Sequence, residues 1–130
     1  MGIAVKNLQK KFSVPEKLIR QAAQKALRKL KSNRDISIVL VSPKRMRGIN
    51  KKYLNHDYVT DVLSFDLGDE AGEIVICPQV ASVNARHHQT STQHEIMLYV
   101  VHGILHLAGF DDKSETDKKI MRKMESKILE

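Results

Sequence analysis

The stretch V-H-G-I-L-H-L-A-G-F-D-D-K, Val101 to Lys113, decides the reading of the whole chain. It carries no charge until Asp111, and its two histidines, His102 and His106, stand four residues apart. On a helix, four residues make one turn plus about 40°, so both side chains leave the same face. Their Cα atoms are then separated by about 6 Å of rise. Two imidazoles in that relation can converge on one ion. Gly109 suits the left-handed position that ends a helix, and the turn beyond it presents Asp111 and Asp112. A helix giving two histidines and a turn giving one carboxylate fill three positions of a tetrahedral zinc site, with the fourth left to water. The competing pattern is a pair of hydrogen-bonded core histidines. Zinc peptidases share H-x-x-x-H, but their motif needs Glu after the first His as general base. Gly103 stands there and can neither take a proton nor orient a water, so a thermolysin-type peptidase is not expected.

Outward from this stretch the chain falls into short elements. Thr92-Gln93-His94-Glu95 reads as a capping box opening the histidine helix, which is nearly all apolar and belongs at the centre of the fold. Ser114 caps a last helix with Ile120, Met121, Met124 and Ile128 as its apolar stripe. Pro78 starts a short helix running to about His88. Val62 to Phe65 and Glu73 to Cys77 read as antiparallel strands joined by a hairpin loop, Leu67 to Gly72. Ser42-Pro43 opens a helix whose inner face carries Met46, Ile49, Asn50 and Tyr53. Lys44, Arg47 and Lys51 share another of its faces, with Arg45 and Lys52 beside it, and Asn55-His56-Asp57 breaks it. Ile36 to Val41 is a β-branched buried strand. Ser13-Val14-Pro15-Glu16 reads as a capping box before a helix with Leu18, Ile19, Ala22, Ala23, Ala26, Leu27 and Leu30 on one stripe, and Ile3 to Leu8 as a first strand. The order β-α-β-α-β-β-α-α-α predicts one α/β (α+β) domain over residues 1–130. Its expected form is a mixed sheet of about four strands, helices packed on it and the histidine helix in the middle.

Composition bounds the function. Lys and Arg number 22 against 15 acids, a net charge of +7, which favours an anionic partner with nucleic acid first. A basic but merely solvated surface is the alternative. Aromatic residues are only 5%, so extended base stacking is not expected. The single Cys77 excludes an intrachain disulfide framework and fits a reducing compartment. No long apolar stretch or secretory h-region is present, so a cytoplasmic protein without membrane contact is expected. There is no Walker loop and no G-x-G-x-x-G, so no nucleotide cofactor is indicated. His94 precedes His102 by eight residues, about 12 Å along a helix, too far to share an ion with both later histidines. His56, His87 and His88 fall at element ends and are expected to face solvent, and Cys77 to be a small core residue. The sides taken by Ser64 and Glu73 stay open without a strand register.

Several stretches together resemble one family. H-G-I-L-H-L-A-G-F-D, His102 to Asp111, is similar to the signature H-G-x-L-H-L-x-G-Y-D-H of the YbeY endoribonucleases. T-D-V-L-S-F at Thr60 to Phe65, G-E-I-V-I-C at Gly72 to Cys77 and I-N-K-K-Y at Ile49 to Tyr53 resemble further family segments, in order, from about Ile36 to the C-terminus. The resemblance implies a zinc-dependent, single-strand-selective RNA hydrolase of bacteria. Such an enzyme acts in maturation of small-subunit (16S) ribosomal RNA and in ribosome quality control, with ribosomal RNA and the small subunit as partners. His102 and His106 match the first two zinc ligands; the third family ligand is the His ending the signature, where this chain has Asp112. A two-His, one-carboxylate site is chemically sound, but the anionic ligand lowers the Lewis acidity of the ion. The family also has Arg after the helix Tyr; here Leu54 stands there and cannot hold a phosphate bidentately. The expected chemistry is metal-activated attack of water on a phosphodiester, with Arg47, Lys51 and Lys52 as candidates to hold the RNA backbone. No general base is evident. The alternative is a non-catalytic ribosome-assembly factor with a degenerate or structural metal site, although structural sites normally have four protein ligands and three are found.

Overall fold

A computed structural model describes residues 2–68 and 70–130. The elements are β1 (Ile3–Asn7), α1 (Glu16–Lys29), β2 (Asp35–Leu40), α2 (Pro43–Leu54), β3 (Val62–Asp66), β4 (Ala71–Ile76), α3 (Pro78–His88), α4 (Thr92–Leu107) and α5 (Glu115–Leu129). Their order is the expected one. The strands form one mixed sheet in the order β1-β2-β4-β3, with β1, β2 and β4 parallel and β3 antiparallel to β4.

Alternation along the strands supplies two apolar faces. Ile36, Ile38 and Leu40 of β2 with Ile74 and Ile76 of β4 join the large cluster built by α1, α4 and α5. Val41, Leu63, Val75 and Cys77 make a smaller cluster on the other face with Met46 of α2. The register Phe65↔Glu73↔Ser37 settles the two open side chains. Ser64 faces the histidine helix, donating its Oγ to the carbonyl of Gly103 at 3.3 Å. Glu73 alternates with Ile74 and lies on the opposite face. Cys77 is fully buried, and burial raises its thiol pKa.

Helix α4 occupies the middle, packed against α1, α3, α5, β3 and β4. Ile96, Val100, Val101, Ile104 and Leu105 are all at most 2% exposed, which is why the helix is apolar on nearly every side. Gly103 is where it presses on the sheet: a Cβ there would stand 3.0 Å from Ile74 side-chain carbons and from Ser64 Oγ. That close approach leaves no room for the glutamate of a zinc peptidase.

Local details differ from the sequence reading where neighbours intervene. Helix α1 begins at Glu16 with Pro15 in the cap position and no side-chain cap, so Ser13 does not close a capping box. Val14 precedes a proline and is driven out of the helical region, which delays the start. Helix α4 is capped by Ser91, whose hydroxyl accepts from His94 N, rather than by Thr92. Glu95 then lies one position too late to reach back, and is buried with its Oε1 on His88 and Thr90. Ile120 is 47% exposed, because the buried stripe of α5 runs through Met121, Glu125 and Ile128, about 100° around the helix. Tyr53 is 60% exposed and leaves the inner face of α2, its ring meeting Phe65 edge-on at 5.6 Å. The hairpin connection is shorter than expected, since β4 already begins at Ala71. Asp69 of that loop lies outside the described residues. No helix among the described residues is long and apolar enough to cross a membrane.

Candidate metal centre

The end of α4 builds the site. Gly109 has φ +99. Its N–H reaches the carbonyl of His106, and Phe110 N–H reaches the carbonyl of Leu105. This paired closure is the Schellman arrangement. It reverses the chain directly after the histidines, and Asp111 then stiffens the turn by accepting from the N–H groups of Asp112 and Lys113 at 2.6 and 3.1 Å. The result carries Asp112 back beneath the imidazoles.

Three donor atoms converge there. His102 Nε2 and His106 Nε2 are 3.0 Å apart, and Asp112 Oδ2 lies 3.6 Å from the first and 3.4 Å from the second. Ligands held at roughly 2.0–2.2 Å in tetrahedral geometry are about 3.3 Å from one another. The triangle therefore fits a small divalent cation, and it is the one such group of His, Cys, Asp and Glu among the described residues. The imidazoles cross nearly at right angles, 81°, so both lone-pair directions meet without the rings colliding.

A fourth residue stands behind the first imidazole. Glu125 of α5, 8% exposed, accepts from His102 Nδ1 at 2.7 Å. That bond places the proton on Nδ1 and leaves Nε2 as the ligating atom. Burial, the largest single influence, pushes the His102 pKa down; the Glu125 hydrogen bond and the charges of Glu125, Asp112 and Asp61 outweigh it, so the net shift is upward. Glu125 was missed in the sequence, although a lone acid on the apolar stripe Met121, Met124, Ile128 is the signal that could have found it.

The donors open on a cleft of about 360 Å3 lined by Asp61, Val62, Leu63 and Ser64 with His102, His106 and Asp112. One wall is therefore β3, one of the two edge strands of the sheet. Asp61 was not singled out in the sequence; its carboxylate accepts from Val62 N at 2.7 Å and starts that strand.

The basic candidates lie elsewhere. Arg47, Lys51 and Lys52 are on α2, which packs on the opposite sheet face from α4. Arg47 Nε pairs with Asp57 at 2.7 Å and Lys51 Nζ approaches it at 3.9 Å; the Arg47 hydrogen bond holds the Asp57 carboxyl below its usual range. Lys52 lies over the Tyr53 ring, 5.3 Å from its centroid. Leu54 is half exposed at the end of α2. His56, His87 and His88 are exposed, as expected, His94 is exposed too, and none of the four joins the donor cluster.

Fold and cleft together define a class: a small α/β protein with two helix histidines and a turn carboxylate disposed for a divalent cation beside an edge strand. Residues 4–130 match the family model described as Endoribonuclease YbeY. A relative of that name from Pelotomaculum thermopropionicum is 36% identical, over 99% of this chain and 95% of its own length. One from Finegoldia magna is 35% identical over 99% and 92%. The solution structure of a Thermotoga maritima protein superposes with a TM-score of 0.71 at 30% identity, covering 98% of this chain and 86% of that one. The chain belongs to the YbeY endoribonuclease family.

Proposed function

We propose that the protein is a zinc-dependent endoribonuclease acting on single-stranded RNA, in maturation of small-subunit (16S) ribosomal RNA and ribosome quality control. Its partners in this reading are ribosomal RNA and the small subunit, in a cytoplasmic setting that suits the lone buried Cys77. The observation that carries the reading is the convergence of His102 Nε2, His106 Nε2 and Asp112 Oδ2 at the floor of an open cleft. Three protein donors with an accessible remaining side are the arrangement of a catalytic centre rather than a structural one.

A divalent ion held there supplies Lewis-acid activation of a water and charge to balance the phosphoryl oxygens. The chain's own residues do the rest. His102 and His106 bind through Nε2, and Glu125 keeps the His102 proton on Nδ1 so that the ligating atom stays free of it. Asp112 contributes a bound negative charge, which tempers the site relative to a third imidazole. Val62 and Leu63 line the cleft beside Asp61 and Ser64. Arg47, Lys51 and Lys52 hold RNA phosphates at a distance from the reacting bond, across the edge strand.

The rival reading, a non-catalytic ribosome-assembly factor, draws on Leu54, which cannot clamp a phosphate as an arginine would. Cleavage decides between them. Purified protein, stripped of metal and resupplied with zinc, should cut a single-stranded RNA and spare a duplex, and His106→Ala should abolish cutting while still binding RNA. Absence of cutting with zinc bound would favour the assembly factor.

A further inference from the structure

Two of the three tyrosines are thrust into solvent, one near the end of α2 and one on the connection from α2 to the edge strand β3. Tyr53 is 60% exposed and Tyr58 54%, whereas Tyr99 is 6% exposed in the core. Neither position is an accident of a loose loop. Asn50, 1% exposed, donates its Nδ2 to the Tyr58 carbonyl at 3.0 Å, and its own carbonyl receives His56 N–H at 3.2 Å. Asp57 is tied to Arg47 and Lys51. The His56 and Tyr58 rings are stacked, 14° from parallel, with Tyr58 Oη 3.1 Å from His56 Nδ1. Tyr58 is three residues from Asp61, which lines the cleft, whereas Phe65, which supports Tyr53, alternates with the cleft-lining Ser64 and so places Tyr53 on the other face of the edge strand.

We propose that Tyr53 and Tyr58 are a stacking platform for unpaired bases of an RNA whose backbone crosses the edge strand β3 into the His102–His106–Asp112 cleft. The inference rests on the endoribonuclease reading and adds how the substrate is recognised. Exposed aromatic faces beside cations suit single strands, because a free base offers a π-face and a duplex does not. Cation placement favours nucleic acid over a protein partner: Lys52 lies over Tyr53, and Arg47 and Lys51 occupy neighbouring positions of α2. Lysine is depleted in protein–protein interface cores. The low aromatic content of the chain counts rings and says nothing of their place, and here the two exposed tyrosines stand five residues apart in the chain, before the edge strand.

The test uses metal-free full-length protein and two uncleavable 2′-O-methyl oligomers of equal length, one with bases and one abasic. The chain has no Trp, so Tyr emission is directly readable. The oligomer with bases should quench that emission and bind roughly five- to hundredfold more tightly than the abasic one, the range expected for one stacked base. Tyr53→Ala and Tyr58→Ala should each lose a comparable factor with the salt slope unchanged, and the Phe variants should retain it. Equal affinity for the two oligomers, or unaltered affinity in both Ala variants, overturns the platform. So does an Ala variant that changes only self-association, which would make the patch a protein interface. Because nothing is cut in this assay, its failure leaves the endoribonuclease reading standing. Base-dependent binding without any cleavage of ordinary RNA would remove that reading alone.

Discussion

Asp111 and Asp112 are chain neighbours with different work. Asp111 spends its carboxylate on two backbone N–H groups of the turn, while Asp112 points its Oδ2 at both imidazoles. Asp112→Ala should therefore weaken zinc binding on the order of tenfold or more, and Asp111→Ala much less, in side-by-side calorimetric titrations. Equal loss in the two variants would mean that the turn, not a ligand, had been removed. Glu125→Gln keeps the volume and an acceptor but discards the charge behind His102. A zinc affinity lower by about 10–100-fold is expected, and an unchanged affinity would show that the Glu125 bond is only packing. Tyr99 gives a test away from the metal. Burial raises its phenol from 10.0 to about 12, more than the Asn84 hydrogen bond lowers it. The unfolded chain releases this proton first, so the contribution to stability is complete below about pH 10 and is lost as pH rises toward 12. Denaturant unfolding should show wild type losing stability above pH 10 more steeply than Tyr99→Phe, by up to about 1.4 kcal/mol per pH unit. Parallel curves would place the titration elsewhere.

At the scale of elements, the decisive feature is how α4 ends. Its two histidines would face an open turn if the helix ran on; the left-handed Gly109 stops it and folds Asp112 beneath them. Gly109→Ala should cost about 1–2 kcal/mol in metal-free unfolding, since an L side chain resists that conformation. It should also weaken zinc binding by misplacing Asp112. Destabilisation with full affinity retained would show that the turn re-forms without the glycine. The beginning of α4 was less legible. Ser91 and Thr92 are both good caps, and only the geometry of His94 N chooses the serine. The start of α1 shows the same limit, where Pro15 overrides a well-formed capping motif through its effect on Val14. Caps compete over one residue, and local preference alone does not separate candidates that close.

For the whole molecule, charge sets the expected behaviour. With a net charge of +7, RNA affinity should fall steeply with salt as phosphates displace counterions. Neutralising Lys51 and Lys52 together should shallow the slope by about one unit per lost phosphate contact and leave sequence preference unchanged. Lys52 should matter more, since Lys51 is already shared with Asp57. An affinity indifferent to salt would mark the α2 face as a solvated surface. The sequence by itself determined the nine elements and their order, the central place of α4, and the His102–His106 pair, because helical and strand periodicities are local and the apolar run is unambiguous. It also offered Asp111 and Asp112 beyond a glycine stop, and the family resemblance singled out Asp112. Only the tertiary structure decided which of two sheet faces Ser64 and Glu73 take, since a strand presents both until its register is set. Only it brought Glu125 to His102 across 23 residues, and left Tyr53 and Tyr58 exposed. Those contacts join distant segments, and no local pattern encodes a distance that the packing of α4, α5 and the edge strand has yet to make.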